Sequence, residues 1–140
     1  MKKIAILGST GSIGQQAIDV IRALPDELKI VALTGNKNLE LLEKQIREFQ
    51  PRMFCSSVKA DISYGGEFLS VEEIASHPEV DFVIVATAGK SGLGPTLAAL
   101  RAGKTVALAS KEVLVMAGEI VVREARLYHA QIRPIDSEHS

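Results

Sequence analysis

The feature that most constrains the fold of this chain is a glycine pattern near its N-terminus, G-x-x-G-x-x-G, formed by Gly8, Gly11 and Gly14. The pattern follows the short apolar run 4–7 and opens a stretch with apolar residues at helical spacing. Glycines at such positions permit a tight turn, close approach of the backbone to phosphate, and close packing of a helix on a strand. The pattern therefore predicts a dinucleotide site, although a glycine turn without a ligand would have the same spacing.

The rest of the chain alternates short apolar runs with helical patterns, which is typical of a parallel α/β sheet. Strands are predicted at residues 4–7, 29–33, 52–55, 81–86, 105–109 and 132–135. Helices are predicted at residues 13–24, 39–49, 71–76 and 112–128, with one more between Pro95 and Gly103, and no element is assigned to residues 56–68. The predicted fold is α/β: a Rossmann-like, doubly wound, mainly parallel sheet with helices on both faces, in one domain covering residues 1–140.

Charge and cysteine content exclude several classes of function. The chain has 16 basic and 17 acidic residues, a net charge of −1, which gives no reason to expect nucleic acid or a membrane surface as partner. No stretch approaches the roughly 18 apolar residues of a membrane span, and the run 4–7 is too short for a signal peptide. The single cysteine, Cys55, is expected to be buried and inert, and it fits a reducing cytoplasm.

The end of the second predicted strand favours NADP(H) over NAD(H). NAD sites usually carry a carboxylate there, about twenty residues beyond the glycine loop. The segment Thr34-Gly35-Asn36-Lys37-Asn38 has none. Lys37 can pair with a 2′-phosphate, and the two asparagines can donate hydrogen bonds. Two simpler interpretations stay open: Asn38 as the N-cap of the next helix, and Lys37 as a solvated surface lysine.

Two further polar segments follow predicted strands at the same edge of the sheet, where ligands gather. Lys111 can hold an anionic substrate or a developing oxyanion, and Glu112 can cap a helix or touch the nicotinamide. Asp136 and Glu138 project to one side of an extended chain, as ligands of Mg²⁺ or Mn²⁺ do, and Ser137 is free to contact substrate. The alternatives are an acid opposing a helix dipole and carboxylates that are merely solvated.

Four blocks together resemble a known family: Leu7-Gly-Ser-Thr-Gly-Ser-Ile-Gly14, Gly35-Asn-Lys-Asn38, Leu108-Ala-Ser-Lys-Glu112 and Pro134-Ile-Asp-Ser-Glu-His-Ser140. They occur in the order and spacing of the N-terminal domain of the 1-deoxy-D-xylulose 5-phosphate reductoisomerase family. The resemblance implies an NADPH-dependent and divalent-metal-dependent enzyme. Such an enzyme rearranges and reduces 1-deoxy-D-xylulose 5-phosphate to 2-C-methyl-D-erythritol 4-phosphate, in the non-mevalonate route to isoprenoids.

The resemblance also implies roles for individual residues. The cofactor would be bound by Thr10, Gly11, Ser12, Ile13, Gly35, Asn36, Lys37, Asn38, Ser110 and Glu112. Lys111 and Glu138 would be catalytic; Lys111, Ser137 and Glu138 would contact substrate; Asp136 and Glu138 would ligate Mg²⁺ or Mn²⁺. Family members usually carry asparagine in place of Ser110, whose hydroxyl reaches less far.

The resemblance further implies that the catalytic and C-terminal helical domains would lie beyond Ser140. We therefore expect a fragment of a homodimeric enzyme that binds NADPH but does not turn over by itself. One alternative is a stand-alone NADP(H)-binding regulatory module, which leaves Lys111, Glu112 and the segment 136–138 unexplained. Another is an NADP-dependent dehydrogenase of the aspartate-semialdehyde type, but its nucleophilic cysteine has no counterpart, since Cys55 comes too early and in too apolar a stretch.

Overall fold

A computed structural model describes residues 1–56, 66–87, 92–108 and 122–134. The strands are β1 (Lys2–Leu7), β2 (Leu28–Thr34), β3 (Met53–Cys55), β4 (Glu67–Phe68), β5 (Phe82–Val85), β6 (Thr105–Leu108) and β7 (Gln131–Pro134). The helices are α1 (Ser12–Arg22), α2 (Leu39–Phe49), α3 (Val71–Ala75) and α4 (Leu93–Arg101), and residues 122–127 are also helical. None of these helices is long and apolar enough to cross a membrane.

The strands pair in parallel in one sheet, in the order β4-β3-β2-β1-β5-β6-β7. The chain starts at the centre with β1, builds outward to β4, and then returns to the other side of β1 with β5. This reversal leaves a crevice between the carboxyl ends of β1 and β5, which is where open α/β sheets bind ligands. The predicted parallel, doubly wound arrangement is confirmed.

Helices cover both faces of the sheet because successive side chains of a strand point to opposite faces. In β1, Ile4 and Ile6 belong to a core shared with α1 and α2, whereas Ala5 and Leu7 belong to a core shared with α3 and α4. All four side chains are buried, as expected for a central strand in a sheet covered on both sides. The prediction of helices on both faces is therefore correct.

Short-range signals define the ends of α2 and α3. The Asn38 side chain caps α2 by accepting a hydrogen bond from the Leu41 amide, and after the last helical residue, Phe49, the C-cap residue Gln50 has the left-handed conformation immediately before Pro51. Ser70 and Glu73 form a reciprocal capping box at the start of α3. These contacts join residues close in sequence, which is why the predicted bounds of both helices agree with the structure to within one residue.

Several elements differ from their predicted form; α1 ends at Arg22 rather than residue 24, and α4 begins at Leu93 rather than Pro95. The sequence does not predict β4, because a strand of two exposed residues has no hydrophobic period to detect. β1 begins at Lys2 rather than residue 4, because Lys2 and Lys3 pair with β2. Both lysines are exposed, so the apolar run that predicts the strand does not include them. β7 begins at Gln131, one residue early, and residue 135 lies outside the described residues. The predicted helix 112–128 can be compared only from residue 122 onward, where residues 122–127 are helical.

Candidate cofactor site

The glycine loop begins where β1 ends, at the crevice between β1 and β5. Gly8 has a φ of +88°, a conformation that residues with a side chain rarely adopt. A Cβ atom at Gly8 would lie 2.8 Å from the backbone nitrogen of Thr87 and 2.9 Å from the carbonyl carbon of Ala86. The fold itself therefore requires glycine at this position, because the loop passes directly against the end of β5.

The other two glycines of the pattern, Gly11 and Gly14, differ in whether the structure has room for a side chain at their positions. A Cβ atom at Gly14 would lie 2.2 Å from the carbonyl oxygen of Gly8 and 2.7 Å from the Cα of Ser9, so the start of α1 packs directly on the loop. A Cβ atom at Gly11 would meet only the Gly8 carbonyl oxygen, at an ordinary 3.7 Å, and the Gly11 φ of −78° suits any residue. Within the described chain, no contact or torsion requires glycine at position 11.

The start of α1 presents backbone N–H groups that the described part of the chain does not use. The first helical hydrogen bond runs from the Gln15 amide to the Gly11 carbonyl oxygen, at 2.9 Å. The amides of Ser12 and Ile13 precede that bond, and Gly11, the N-cap residue, has no side chain to accept from them. Unpaired donors at the positive end of a helix dipole are suited to an anionic phosphate group.

The segment after β2 packs directly against the glycine loop. The Gly35 amide donates to the Cys55 carbonyl oxygen at 2.9 Å, which ties the segment to the end of β3. A Cβ atom at Gly35 would lie 3.2 Å from the Cγ2 of Thr10 and 3.1 Å from the Cδ2 of Leu42. Two of the segments assigned to the cofactor from sequence are therefore neighbours in space.

Asn36, Lys37 and Asn38 follow as exposed residues at the same edge of the sheet. The Oδ1 of Asn38 accepts from the Leu41 amide at 3.2 Å, so the N-cap interpretation of Asn38 is correct. Its amide nitrogen makes no hydrogen bond to the described residues and can still donate to a ligand. The structure thus brings Thr10, Gly11, Ser12, Ile13 and the segment 35–38 together around one crevice.

The remaining candidate residues, Ser110, Lys111, Glu112, Asp136, Ser137 and Glu138, lie outside the described residues. The strands that precede them end at the cofactor edge, because Leu108 of β6 pairs with Pro134 of β7 and with Val85 of β5, which in turn pairs with Leu7 of β1. In the described ranges, no three His, Cys, Asp or Glu side chains are grouped as metal ligands would be.

Sequence reasoning does not identify Gln45, which is buried beneath the glycine loop and hydrogen-bonded to Ser9. A signal for it is present in the sequence. Leu42, Gln45, Ile46 and Phe49 have the spacing of one helix face, so Gln45 is a polar residue within an apolar stripe. A glutamine at such a position needs buried hydrogen-bond partners, and only the tertiary structure shows which they are.

Cys55 is 8% exposed, and burial raises the pKa of its thiol. The reactive thiolate is therefore scarce at neutral pH, as predicted for an inert cysteine and contrary to a catalytic nucleophile. We expect an aromatic disulfide reagent to modify Cys55 at least about 100-fold more slowly in the native protein than in urea, because reaction requires local opening. Spectrophotometric detection of the released thiol checks this, and rapid complete modification of the native protein would contradict it.

A family model described as 1-deoxy-D-xylulose 5-phosphate reductoisomerase matches residues 4–118. The 1-deoxy-D-xylulose 5-phosphate reductoisomerase of Pelotomaculum thermopropionicum is 44% identical over an alignment of 153 positions, which covers 100% of this chain and 40% of that relative. The chain thus spans about two fifths of the length of the curated relatives it matches.

Solved structures of 1-deoxy-D-xylulose 5-phosphate reductoisomerases are also similar to this chain. A DOX-P reductoisomerase in complex with NADPH, fosmidomycin and magnesium has a TM-score of 0.93 at 41% identity, over 99% of this chain and 37% of that chain. The 1-deoxy-D-xylulose 5-phosphate reductoisomerase of Zymomonas mobilis in complex with NADPH has a TM-score of 0.90 at 33% identity, over 99% of this chain and 39% of that chain. By its sequence and by its fold, the chain belongs to the 1-deoxy-D-xylulose 5-phosphate reductoisomerase family.

Proposed function

We propose that this chain binds NADPH at the carboxyl ends of β1, β2 and β5, as the cofactor-binding part of a 1-deoxy-D-xylulose 5-phosphate reductoisomerase. The observation that carries the proposal is the start of α1, where amides that pair with none of the described residues adjoin Gly11, a glycine that the described packing does not require. A phosphate beside Gly11 explains both features, because it accepts from the amides and needs the space of a side chain. The NADPH complexes of two similar structures support this.

The segment after β2 supports NADPH rather than NADH as the cofactor. β2 ends at Thr34, whose hydroxyl accepts from the Gly8 amide at 3.0 Å, so no carboxylate occupies the position that binds ribose in NAD sites. Instead, the exposed Lys37 lies between Asn36 and Asn38. A lysine and two amide side chains complement the charge and the oxygens of a 2′-phosphate.

The test is calorimetric titration of the protein and its Lys37→Ala variant with NADPH and NADH. We expect the unmodified protein to bind NADPH at least about tenfold more tightly than NADH. Lys37→Ala should weaken NADPH binding about tenfold and leave NADH binding unchanged, because only NADPH carries the 2′-phosphate. Lys44→Ala, which removes an exposed lysine within α2, is the matched control and should change neither. A preference for NADH, or no binding of either nucleotide, would refute the proposal.

The chemistry of the whole enzyme is proposed from family membership. When bound, NADPH supplies the hydride for the reduction, and a divalent cation polarises the substrate oxygens. Lys111 is proposed to hold the anionic substrate or its developing oxyanion, with Ser137 and Glu138 also contacting the substrate. Asp136 and Glu138 are the proposed metal ligands. Ser110 and Glu112 are proposed to contact the cofactor, Ser110 through a hydroxyl shorter than the usual asparagine.

We further propose that the full-length enzyme acts as a homodimer in the cytoplasm on a small phosphorylated sugar. Its near-neutral charge and its single buried cysteine are compatible with that setting. In a protein that spans the full length of the curated relatives, NADPH oxidation that depends on both 1-deoxy-D-xylulose 5-phosphate and a divalent metal would distinguish this function from a stand-alone NADP(H)-binding regulatory module. A regulatory module would bind the cofactor without any oxidation that depends on this substrate.

A further inference from the structure

Beneath the glycine loop, α2 carries a polar side chain that is almost completely buried. Gln45 is 4% exposed, and its neighbours on the same helix face, Leu42 and Ile46, are 0% exposed. An unpaired amide in such surroundings is strongly unfavourable, since it loses its hydrogen bonds to water. Both ends of the Gln45 amide are paired, and both partners belong to Ser9, which is itself fully buried.

The two hydrogen bonds form a closed ring. The Ser9 hydroxyl donates to the Oε1 of Gln45 at 2.7 Å, and the Nε2 of Gln45 donates to the Ser9 carbonyl oxygen at 2.9 Å. The orientation of the amide follows from chemistry, because a carbonyl oxygen can only accept and must therefore face the nitrogen. A reversed amide would place two acceptors in contact. The ring consequently defines both the position and the rotation of the Ser9 peptide.

The end of β2 also holds Ser9, and the Ser9 hydroxyl lies 3.2 Å from the Thr34 carbonyl oxygen in addition to its shorter contact with Gln45. The Ser9 amide donates to the Thr34 carbonyl oxygen at 2.7 Å, and the Gly8 amide donates to the same oxygen at 3.0 Å. Because its own N–H is already used, Ser9 does not offer a backbone donor to phosphate. Ser9 is instead the anchored point from which the loop continues into Thr10, Gly11 and the start of α1.

The same helix also carries the proposed 2′-phosphate segment. α2 begins at Leu39, directly after residues 36–38, and Gln45 lies about 9 Å further along the helix axis. A contact that holds α2 against Ser9 therefore holds the segment 36–38 at a set distance from the amides of α1. NADPH engages both places at once through its pyrophosphate and its 2′-phosphate.

We propose that Gln45 is a positioning residue for the cofactor, which aligns the pyrophosphate-binding start of α1 with the 2′-phosphate-binding segment before α2. The inference rests on the proposed binding of NADPH. Gln45 acts through Ser9 and needs no contact with the ligand. A ligand that spans both segments is sensitive to their relative position, whereas a ligand that reaches only one segment is not.

The test compares NADPH with 2′-AMP, which carries the 2′-phosphate and no pyrophosphate. Gln45→Met keeps the length and the helix propensity of the side chain and removes both hydrogen bonds. We expect it to weaken NADPH binding at least about tenfold and to change 2′-AMP binding by less than about twofold, both measured by calorimetry. Ile46→Val, which shortens a fully buried side chain at the next position, should lower the melting temperature and change neither affinity by more than about twofold.

Unchanged NADPH affinity in Gln45→Met would overturn the inference. An equal loss of affinity for both ligands, or a similar loss in Ile46→Val, would also overturn it. Either result would indicate a nonspecific destabilisation of the packing around α2 rather than a misalignment of the two binding segments. If Gln45→Met does not fold, Ser9→Ala provides the test: it removes only the hydroxyl and should weaken NADPH about threefold without affecting 2′-AMP. Failure of the unmodified protein to bind NADPH is a different result, which refutes the proposed function and this inference with it.

Discussion

Replacement of Gly11 by alanine is expected to weaken NADPH binding at least about 30-fold, equivalent to about 2 kcal/mol, in a protein that remains folded. The protein has room for the added methyl group, since the nearest atom of the described chain would lie 3.7 Å away. The same methyl group would occupy part of the space beside the first-turn amides of α1, which the described residues leave open. We propose that the pyrophosphate binds there, so the methyl group would hold its oxygens away from their donors.

Titration calorimetry measures the loss of affinity, and thermal unfolding followed by circular dichroism checks that the variant is folded. Alanine is less favourable than glycine as an N-cap, but it restricts the unfolded chain more, so the net change in stability should stay within about 1 kcal/mol. A Gly11→Ala variant that binds NADPH as tightly as the unmodified protein would contradict the proposal that a phosphate binds beside Gly11, on which the proposed function depends.

Replacement of Gly14 by alanine is expected to have the opposite pattern, a loss of folding stability of roughly 3 kcal/mol or more. The new Cβ atom would lie 2.2 Å from the Gly8 carbonyl oxygen and 2.7 Å from the Cα of Ser9. Both are backbone atoms of a loop held by Thr34, so no flexible side chain can move aside. Relief of the overlap would require α1 to move about 1 Å from the loop, which opens the packing of Ile18 and Ile21 on the sheet.

Urea unfolding of Gly14→Ala measures this loss, and Gly11→Ala is the matched control, since it is the same chemical change one helical turn earlier. Gly14→Ala should unfold at much lower urea concentration than Gly11→Ala. Equal stability of the two variants would show that α1 and the loop can separate easily, which would contradict the close packing seen here.

The parts of the fold that sequence predicts well are those whose signals are local. The stripe of Leu39, Leu42, Ile46 and Phe49 carries its own period, and Asn38 and Pro51 mark its ends, so the predicted helix coincides with α2. β4 is the counterexample. Its two residues are exposed and form a strand only because β3 is beside them, so no pattern within residues 56–68 could reveal it.

The candidate site shows the same division. The pattern of Gly8, Gly11 and Gly14 predicts a phosphate-binding loop. The sequence does not show, however, which of these glycines is required by the packing of the fold and which leaves space for a ligand. That distinction depends on how near each Cβ would come to β5 or to the loop itself. Gln45 is similar, because in the sequence it is only a polar residue in an apolar stripe.

The sequence by itself determined the α/β class, the position of the glycine loop and the membership of a family, and it predicts a segment that favours NADP(H), because each rests on residue types at short, regular spacings. The tertiary structure alone decided how those pieces are held together. Ser9 and Gln45 are 36 positions apart, and Gly8 meets Thr87 across the crevice between two strands. Contacts between residues so far apart in the chain exist only once the sheet has brought them together, so their roles follow from packing rather than from local pattern.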